Sequence, residues 1–204
     1  LVETLKALPN VAETAASARA GRAKLGWYRR SKQALDIVFG ADAPRFTALL
    51  AALSPQTSVE SNLINALNVW TGWVAAGRPN DAITLSGPKV NSFSLNLQGF
   101  ESEVTNDAWM ANWGFVDQQL FSQNANIARP GKSPGYMAMT VLARRAAVEA
   151  NMDPMEVQET IWSMAKALYE RASAKGETRT ELQILEEGDL THEMIGDVPD
   201  FSTL

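Results

Sequence analysis

The sequence predicts an all-α fold, and three observations support that prediction. Apolar side chains recur every three or four positions through most of the 204 residues, which is the spacing of helices with one buried face. The alternating β-branched runs that mark strands do not occur. Prolines and capping residues precede the periodic segments and glycines follow them, as expected where helices start and stop.

The helices follow in chain order from this periodicity. Pro44, Pro88 and Pro154 stand where a first-turn proline is favoured, because the backbone N–H that proline lacks has no helical partner there. Thr57 or Ser58 can cap the start of a long helix, and Thr57 with Glu60 fits a capping box there. The predicted helices are 2–8, 11–24, 28–39, 43–53, 59–74, 88–97, a short one between the Asn106-Asp107 cap and Gly114, 133–151, 153–174 and one near 179–187, with 116–132 mostly loop.

Composition excludes several chemistries. The chain has no cysteine, so disulfides, thiolate zinc sites, cysteine nucleophiles and cysteine-ligated iron–sulfur clusters are excluded. Its only histidine, His192, lies in an acidic stretch, which argues against histidine-dependent catalysis. We therefore expect no metal and no cofactor. No apolar run approaches the roughly 18–20 residues of a membrane span, and no signal-peptide pattern opens the chain, so a cytoplasmic protein without a membrane partner is expected.

Charge is unevenly distributed along the chain. The net charge is −5. All charged residues of the segment 19–32 are basic, whereas those from 177 onward are almost all acidic. A basic face near the N-terminus could therefore meet phosphates while the acidic tail accounts for the negative total. A solvated helix face explains the same basic run equally well. The basic residues are Arg19, Arg22, Lys24, Arg29, Arg30 and Lys32.

The stretch 87–114 holds the main candidates for chemistry. Lys89 opens one predicted helix, and Asp107 opens the next, 18 positions later. The positive end of a helix dipole favours the neutral form of an amine, and a neutral amine is a nucleophile or a base. Aspartate at a helix start usually serves as a cap. An exposed Lys89 and a purely capping Asp107 are the plain alternatives.

This pair resembles the hallmark of the helix-hairpin-helix DNA glycosylase superfamily, in which a hairpin ends in a lysine and an aspartate follows at this distance. A second similarity is the turn 53–57, Leu-Ser-Pro-Gln-Thr, which looks like the family's leucine-serine-x-glutamine turn. The sequence departs from the family at Leu85, where the hairpin normally has its first glycine, and at Trp109, where a histidine is usual.

The resemblance implies a two-lobed helical bundle with a cleft between the lobes. It implies one catalytic domain, 1–175, with one lobe at roughly 44–114 and the other formed by 1–43 and 115–175. Residues 176–204 then form an acidic C-terminal tail. The implied setting is the cytoplasm of a bacterium or of a phage-infected host cell.

The implied function is a DNA base-processing enzyme that extrudes a nucleotide from the duplex. Lys89 would attack the sugar and Asp107 would stabilise the developing positive charge, as in a DNA N-glycosylase with lyase activity. DNA is the implied partner. The residues expected to bind DNA or the base are Tyr28, Arg29, Arg30, Ser54, Gln56, Gly87, Asn91 and Trp109, with Trp27, Gln158 and Trp162 as further candidates for the base pocket. Core packing is the alternative for the tryptophans, in particular Trp70, Trp73 and Trp162.

Two other functions fit the same residues. One is a phage-type transferase, related to this fold, in which an amine displaces pyrophosphate from an activated 5-hydroxymethyl pyrimidine in DNA and the glycosidic bond survives. The other is a non-catalytic helical module that binds DNA or a protein, with Asp107 acting only as a cap.

Overall fold

The computed structural model describes residues 8–55, 57–114, 116 and 134–175. Its regular elements within these ranges are all helices, so the predicted all-α class is confirmed. None of these helices combines the length and the apolar character needed to cross a membrane. The predicted helices 2–8 and 179–187 and nearly all of the predicted loop 116–132 lie outside the described residues.

Eight α-helices are described, and they agree closely with the sequence prediction. Short 3-10 helices at Gly21–Lys24 and Gly40–Asp42 follow the first two. The α-helices are α1 (Val11–Ala20), α2 (Trp27–Phe39), α3 (Ala43–Leu53), α4 (Val59–Ala75), α5 (Gly87–Leu97), α6 (Ala108–Trp113), α7 (Pro134–Ala150) and α8 (Pro154–Lys175).

The structure decides between the two caps predicted for α4 and excludes the capping box of Thr57 with Glu60. Ser58, and not Thr57, caps α4: its side chain accepts the backbone N–H of Ser61. The Thr57 hydroxyl instead donates to the carbonyls of Leu53 and Ser54 at the end of α3. The hydroxyl of Thr57 therefore bonds to the C-terminal end of α3, and Ser58 caps the N-terminus of α4.

The chain divides into two compact units, which we call the split unit and the inserted unit. The inserted unit is Trp27–Thr105, and the split unit contains the described residues up to Gly26 and from Asn106 onward. The sequence analysis drew its lobes at roughly 44–114 and the remainder. The structure places α2 with α3, because α2 packs against both α3 and α5.

The split unit is built around α8. Helices α1, α6 and α7 all pack against α8, and α1 also packs along α7. Small residues permit the close approach of α1 to α7 and α8: Ala15 and Ala18 are fully buried. Where the 3-10 helix begins, a Cβ on Gly21 would lie 2.5 Å from the carbonyl oxygen of Thr160, so only glycine fits there.

The inserted unit has α3 at its centre, in contact with α2, α4 and α5. Its core includes the fully buried Phe46, Leu50 and Leu35. The rings of Phe39 and Phe46 are stacked with centroids 3.8 Å apart, and Trp70 packs edge-on against both. The core-packing interpretation of Trp70 therefore fits its position.

Candidate functional site

Lys89 lies in the first turn of α5, and the local sequence explains this start. Gly87 has φ of +80°, a left-handed conformation that residues with a side chain rarely adopt. Pro88 follows at the first turn, where its fixed φ suits a helix. The amide of Asn91 donates to the carbonyls of Gly87 and Leu85, which ties the approaching chain to the helix. Asn91 and Gly87, both predicted to bind DNA, thus shape the backbone that carries Lys89.

The amine of Lys89 is held on two sides within the inserted unit. Its Nζ lies 2.6 Å from Ser54 Oγ, and the Ser54 hydroxyl donates to the carbonyl of Ala51 at 2.9 Å. The Nζ also lies 5.3 Å from the centre of the Phe93 ring, one helical turn further along α5. Lys89 is half-buried, so it differs from the freely exposed lysine of the plain alternative.

The turn that supplies Ser54 is the segment predicted to resemble the leucine-serine-x-glutamine turn. It connects α3 to α4 and is tied down at both ends: Thr57 bonds to α3, and the buried amide of Asn62 in α4 donates to the carbonyl of Leu50 at 2.9 Å. Gln56, the residue predicted to fill the space of an extruded base, lies outside the described residues.

Asp107 caps α6 in the split unit. Its Oδ1 accepts the backbone N–H groups of Trp109 and Met110 at 3.0 and 3.3 Å. Its Oδ2 accepts the indole Nε1–H of Trp162 in α8 at 2.7 Å. Asp107 is half-buried. The predicted cap is confirmed, and the hydrogen bonds to both carboxylate oxygens fix the orientation of the group.

Two buried asparagines brace the chain between Lys89 and Asp107, one in each unit. In the inserted unit, Asn96 donates to the carbonyls of Phe100 and Glu103 and accepts the hydroxyl of Thr105 at 2.6 Å. In the split unit, the side chain of Asn106 donates to α7, as described next. The connection from α5 to Asp107 is therefore built from side-chain hydrogen bonds to the backbone and not from regular structure.

Asn106 is fully buried and bonds to the first turns of α7. Its Nδ2 donates to the carbonyl of Tyr136 at 3.3 Å and to the hydroxyl of Thr140 at 3.0 Å. These bonds set the position from which Asp107 opens α6. Lys89 belongs to the inserted unit and Asp107 to the split unit, and the structure describes each residue within its own unit.

The aromatic and basic residues predicted to meet DNA have mixed positions. Tyr28 is only 3% exposed and packs edge-on against Trp27 and Phe93, so its ring belongs to the core of the inserted unit. Arg29 is exposed and pairs with Glu101 at 2.8 Å, while the neighbouring Arg30 is also exposed.

Further along α2, Lys32 pairs with Asp36. Together with the pairing of Arg29, this neutralises part of the positive charge on the helix. The basic run is also shared between the units, because its members up to Lys24 belong to the split unit and the rest to the inserted unit.

The remaining candidates for the base pocket lie in the split unit, and Trp73, a tryptophan for which packing is the alternative, lies in the inserted unit. Trp109 follows the Asp107 cap and is half-buried, and Gln158 is buried on α8. Trp73 contacts the guanidinium of Arg45 at 4.3 Å and donates its indole N–H to the carbonyl of Pro79. Trp73 thus fixes the loop after α4, in keeping with the packing interpretation.

Two partnerships were not predicted from the sequence. The placement of Phe93 under Lys89 follows the i, i+4 rule for helix neighbours, so the spacing could have indicated it. The bond from Trp162 to Asp107 joins residues 55 positions apart, and no local pattern signals it. Within the described part of the chain, no three His, Cys, Asp or Glu side chains cluster closely enough to hold a metal ion.

The described residues thus define an all-helical protein with two compact units. The chain belongs to a family of unknown function, DUF7178, whose profile matches residues 6–169. Searches of curated proteins and of solved structures give no match.

Proposed function

We propose that this protein processes bases in DNA, with Lys89 as the nucleophile that attacks the sugar of an extruded nucleotide. The observation that carries the proposal is the placement of the Lys89 amine, half-buried at the start of α5 and 2.6 Å from Ser54 Oγ. A nucleophile must be held in a defined direction, and fixed placement of this kind contributes to rate by orientation.

The proposed reaction is that of a DNA N-glycosylase with lyase activity. The lone pair of neutral Lys89 Nζ attacks C1′, the bond between C1′ and the base breaks, and the base leaves with that electron pair and takes up a proton. Nζ then loses a proton, and the C1′–O4′ bond opens with a proton going to O4′, which leaves a Schiff base between Lys89 and C1′. Strand cleavage follows by elimination of the 3′ phosphate.

The proposal assigns an electrostatic role to Asp107. A carboxylate held by N–H donors stays oriented, and a fixed negative charge stabilises the positive charge that develops on the sugar as the base leaves. Its hydrogen bonds to Trp109, Met110 and Trp162 supply that fixed orientation.

Borohydride trapping tests the proposal directly. Reduction of the Schiff base with borohydride joins the protein covalently to an oligonucleotide that carries an abasic site or a modified base. The wild-type protein should form this adduct, and Lys89→Ala and Lys89→Arg should not. Lys175→Ala, at the C-terminal end of α8, is the matched loss of a lysine and should trap as the wild type does. Peptide mass spectrometry should locate the reduced bond at Lys89.

Trapping that persists in Lys89→Ala would exclude Lys89 as the nucleophile. Absence of trapping across a panel of abasic, deaminated, oxidised and hydroxymethylated bases would exclude the glycosylase/lyase. The same panel should then include DNA that carries pyrophosphorylated 5-hydroxymethyluracil together with a labelled amine. Incorporation of the amine into that DNA would indicate the transferase.

The second candidate is the non-catalytic helical module, and one observation favours it. Both carboxylate oxygens of Asp107 are engaged by donors from the protein itself, as expected if the carboxylate serves only to cap α6 and to attach it to α8. This candidate predicts that Lys89→Ala and Asp107→Ser bind DNA or a protein partner as the wild type does. It also predicts neither trapping nor amine incorporation.

A further inference from the structure

We propose that Ser54 is a positioning residue for the amine of Lys89, and not the DNA contact that its place in the turn suggests. The inference rests on the proposed function, in which Lys89 is the nucleophile. It adds a named partner that sets the direction in which the amine presents its lone pair.

The first step of the argument concerns the serine hydroxyl. Ser54 Oγ donates its single proton to the carbonyl of Ala51 at 2.9 Å. A hydroxyl has one proton and two lone pairs, so Ser54 presents only lone pairs to Lys89. The 2.6 Å contact is therefore an N–H of Lys89 donated to Ser54 Oγ.

The second step concerns the amine. One N–H of Lys89 is directed at Ser54, and the face of the Phe93 ring lies near a second side of the nitrogen. When the amine is neutral, its lone pair cannot point toward Ser54, because that direction holds an N–H. The lone pair then faces away from the α3–α4 turn.

The third step concerns the rigidity of the support. Ser54 terminates α3 with φ of −70° and ψ of −21°, and its backbone N–H also donates to Ala51 at 3.3 Å. Ala51 is fully buried in the helix at the centre of the inserted unit. The chain of bonds from Lys89 through Ser54 to Ala51 thus ends on a fully buried residue of the central helix, and support from a packed element is what positioning requires.

Removal of the Ser54 hydroxyl tests this inference without DNA. In protein labelled with nitrogen-15, exchange of the Lys89 ammonium protons with water reports the hydrogen bond. Exchange should be about tenfold faster in Ser54→Ala and Ser54→Gly than in the wild type, and Ser54→Thr should restore the slow rate. Thr71→Val is the matched control, because Thr71 also donates its hydroxyl to a backbone carbonyl of its own helix, that of Leu67 in α4.

Trapping kinetics on the same variants supply the functional measurement. Loss of orientation should lower the trapping rate at saturating DNA about tenfold to a hundredfold and leave DNA affinity within about twofold. Ser54→Thr should recover most of the rate, which a general loss of stability would not allow. Variants are compared only where the melting temperature shows that they are folded.

Each other outcome has a definite meaning. Unchanged ammonium exchange in both Ser54→Ala and Ser54→Gly would overturn the inference. Weaker DNA binding with an unchanged saturating rate would also overturn it and would make Ser54 a DNA contact. If the wild type forms no adduct at all, the proposed function fails, and the exchange measurement alone still decides whether Ser54 orients Lys89.

Discussion

The indole N–H of Trp162 donates to Oδ2 of Asp107 at 2.7 Å, and so joins the middle of α8 to the start of α6. The other oxygen of the same carboxylate is occupied by the backbone of α6. The carboxylate of Asp107 thus caps the start of α6 and attaches it to α8. This double engagement suggests measurements that separate stability from chemistry.

Trp162→Phe should lower the free energy of unfolding by about 1.5–3 kcal/mol. The substitution retains an aromatic ring but leaves Oδ2 of a half-buried carboxylate without this donor, and hydrogen bonds to charged groups contribute in that range. A double-mutant cycle with Asp107→Ser, which can still cap α6 but has no second oxygen for the indole, isolates the pairwise contribution when measured by urea denaturation. Additive effects of the two substitutions would show that the bond contributes no stability in solution.

Asp107→Ser and Asp107→Ala should differ in stability but not in activity. Serine can accept the N–H bonds of the α6 start, whereas alanine cannot, so the alanine variant should be less stable by about 1 kcal/mol. Neither variant has a negative charge to stabilise the sugar cation, so both should lose trapping activity about equally. Normal trapping in Asp107→Ser would assign Asp107 to capping alone.

Gly87→Ala should lower the free energy of unfolding by about 1–2 kcal/mol, because residue 87 has φ of +80° and a Cβ strains that conformation. It should also reduce trapping, because Lys89 lies two residues after the position where the added Cβ distorts the backbone. The matched control is Gly72→Ala in α4. A Cβ at position 72 meets nothing within 4 Å, so this variant should be more stable by about 0.5–1 kcal/mol. Equal effects at both positions would contradict the conformational argument.

Glu101→Gln should strengthen DNA binding if the exposed face of α2 meets phosphates. The substitution removes the negative charge paired with Arg29 at 2.8 Å, and with it the repulsion that this carboxylate exerts on a phosphate approaching α2. We expect affinity to rise about twofold to threefold, and the salt dependence to steepen by up to about 0.9 in the logarithmic slope.

The control for this measurement is Glu149→Gln in α7, which changes the net charge equally at another exposed position. An equal gain in both variants would assign the effect to net charge. No gain in either would leave the basic run as a solvated helix face.

The sequence was most informative where local rules determine structure. Pro44 and Pro154 lie in the first turns of α3 and α8 as predicted, and Gly99, with φ of +91°, lies just beyond the end of α5. Asp107 was predicted as a cap from its type and place alone. These features depend on a few neighbouring residues, which is why one sequence is enough to predict them.

The features that escaped prediction depend on distant residues. Tyr28 follows basic residues in the sequence, which suggests a surface aromatic, but in the structure its ring packs against Phe93 and is buried. The unit boundary at Gly26 could not be predicted either, because it depends on which helices pack against α2. The partner of Asp107 in α8 is determined by tertiary packing, to which local spacing gives no clue.

The division of the chain has a consequence for the order in which the protein can fold during synthesis. The described residues of the inserted unit run consecutively from Trp27 to Thr105, so their helices can pack together as soon as the segment to Thr105 has left the ribosome. Helix α1 precedes this unit in the chain, yet α7 and α8, the helices that pack against it, begin only at Pro134 and Pro154. The contacts of α1 with α7 and α8 can therefore form only after nearly all of the described chain has been translated, so a nascent chain stalled before Pro134 should contain a folded inserted unit while α1 still lacks both partner helices.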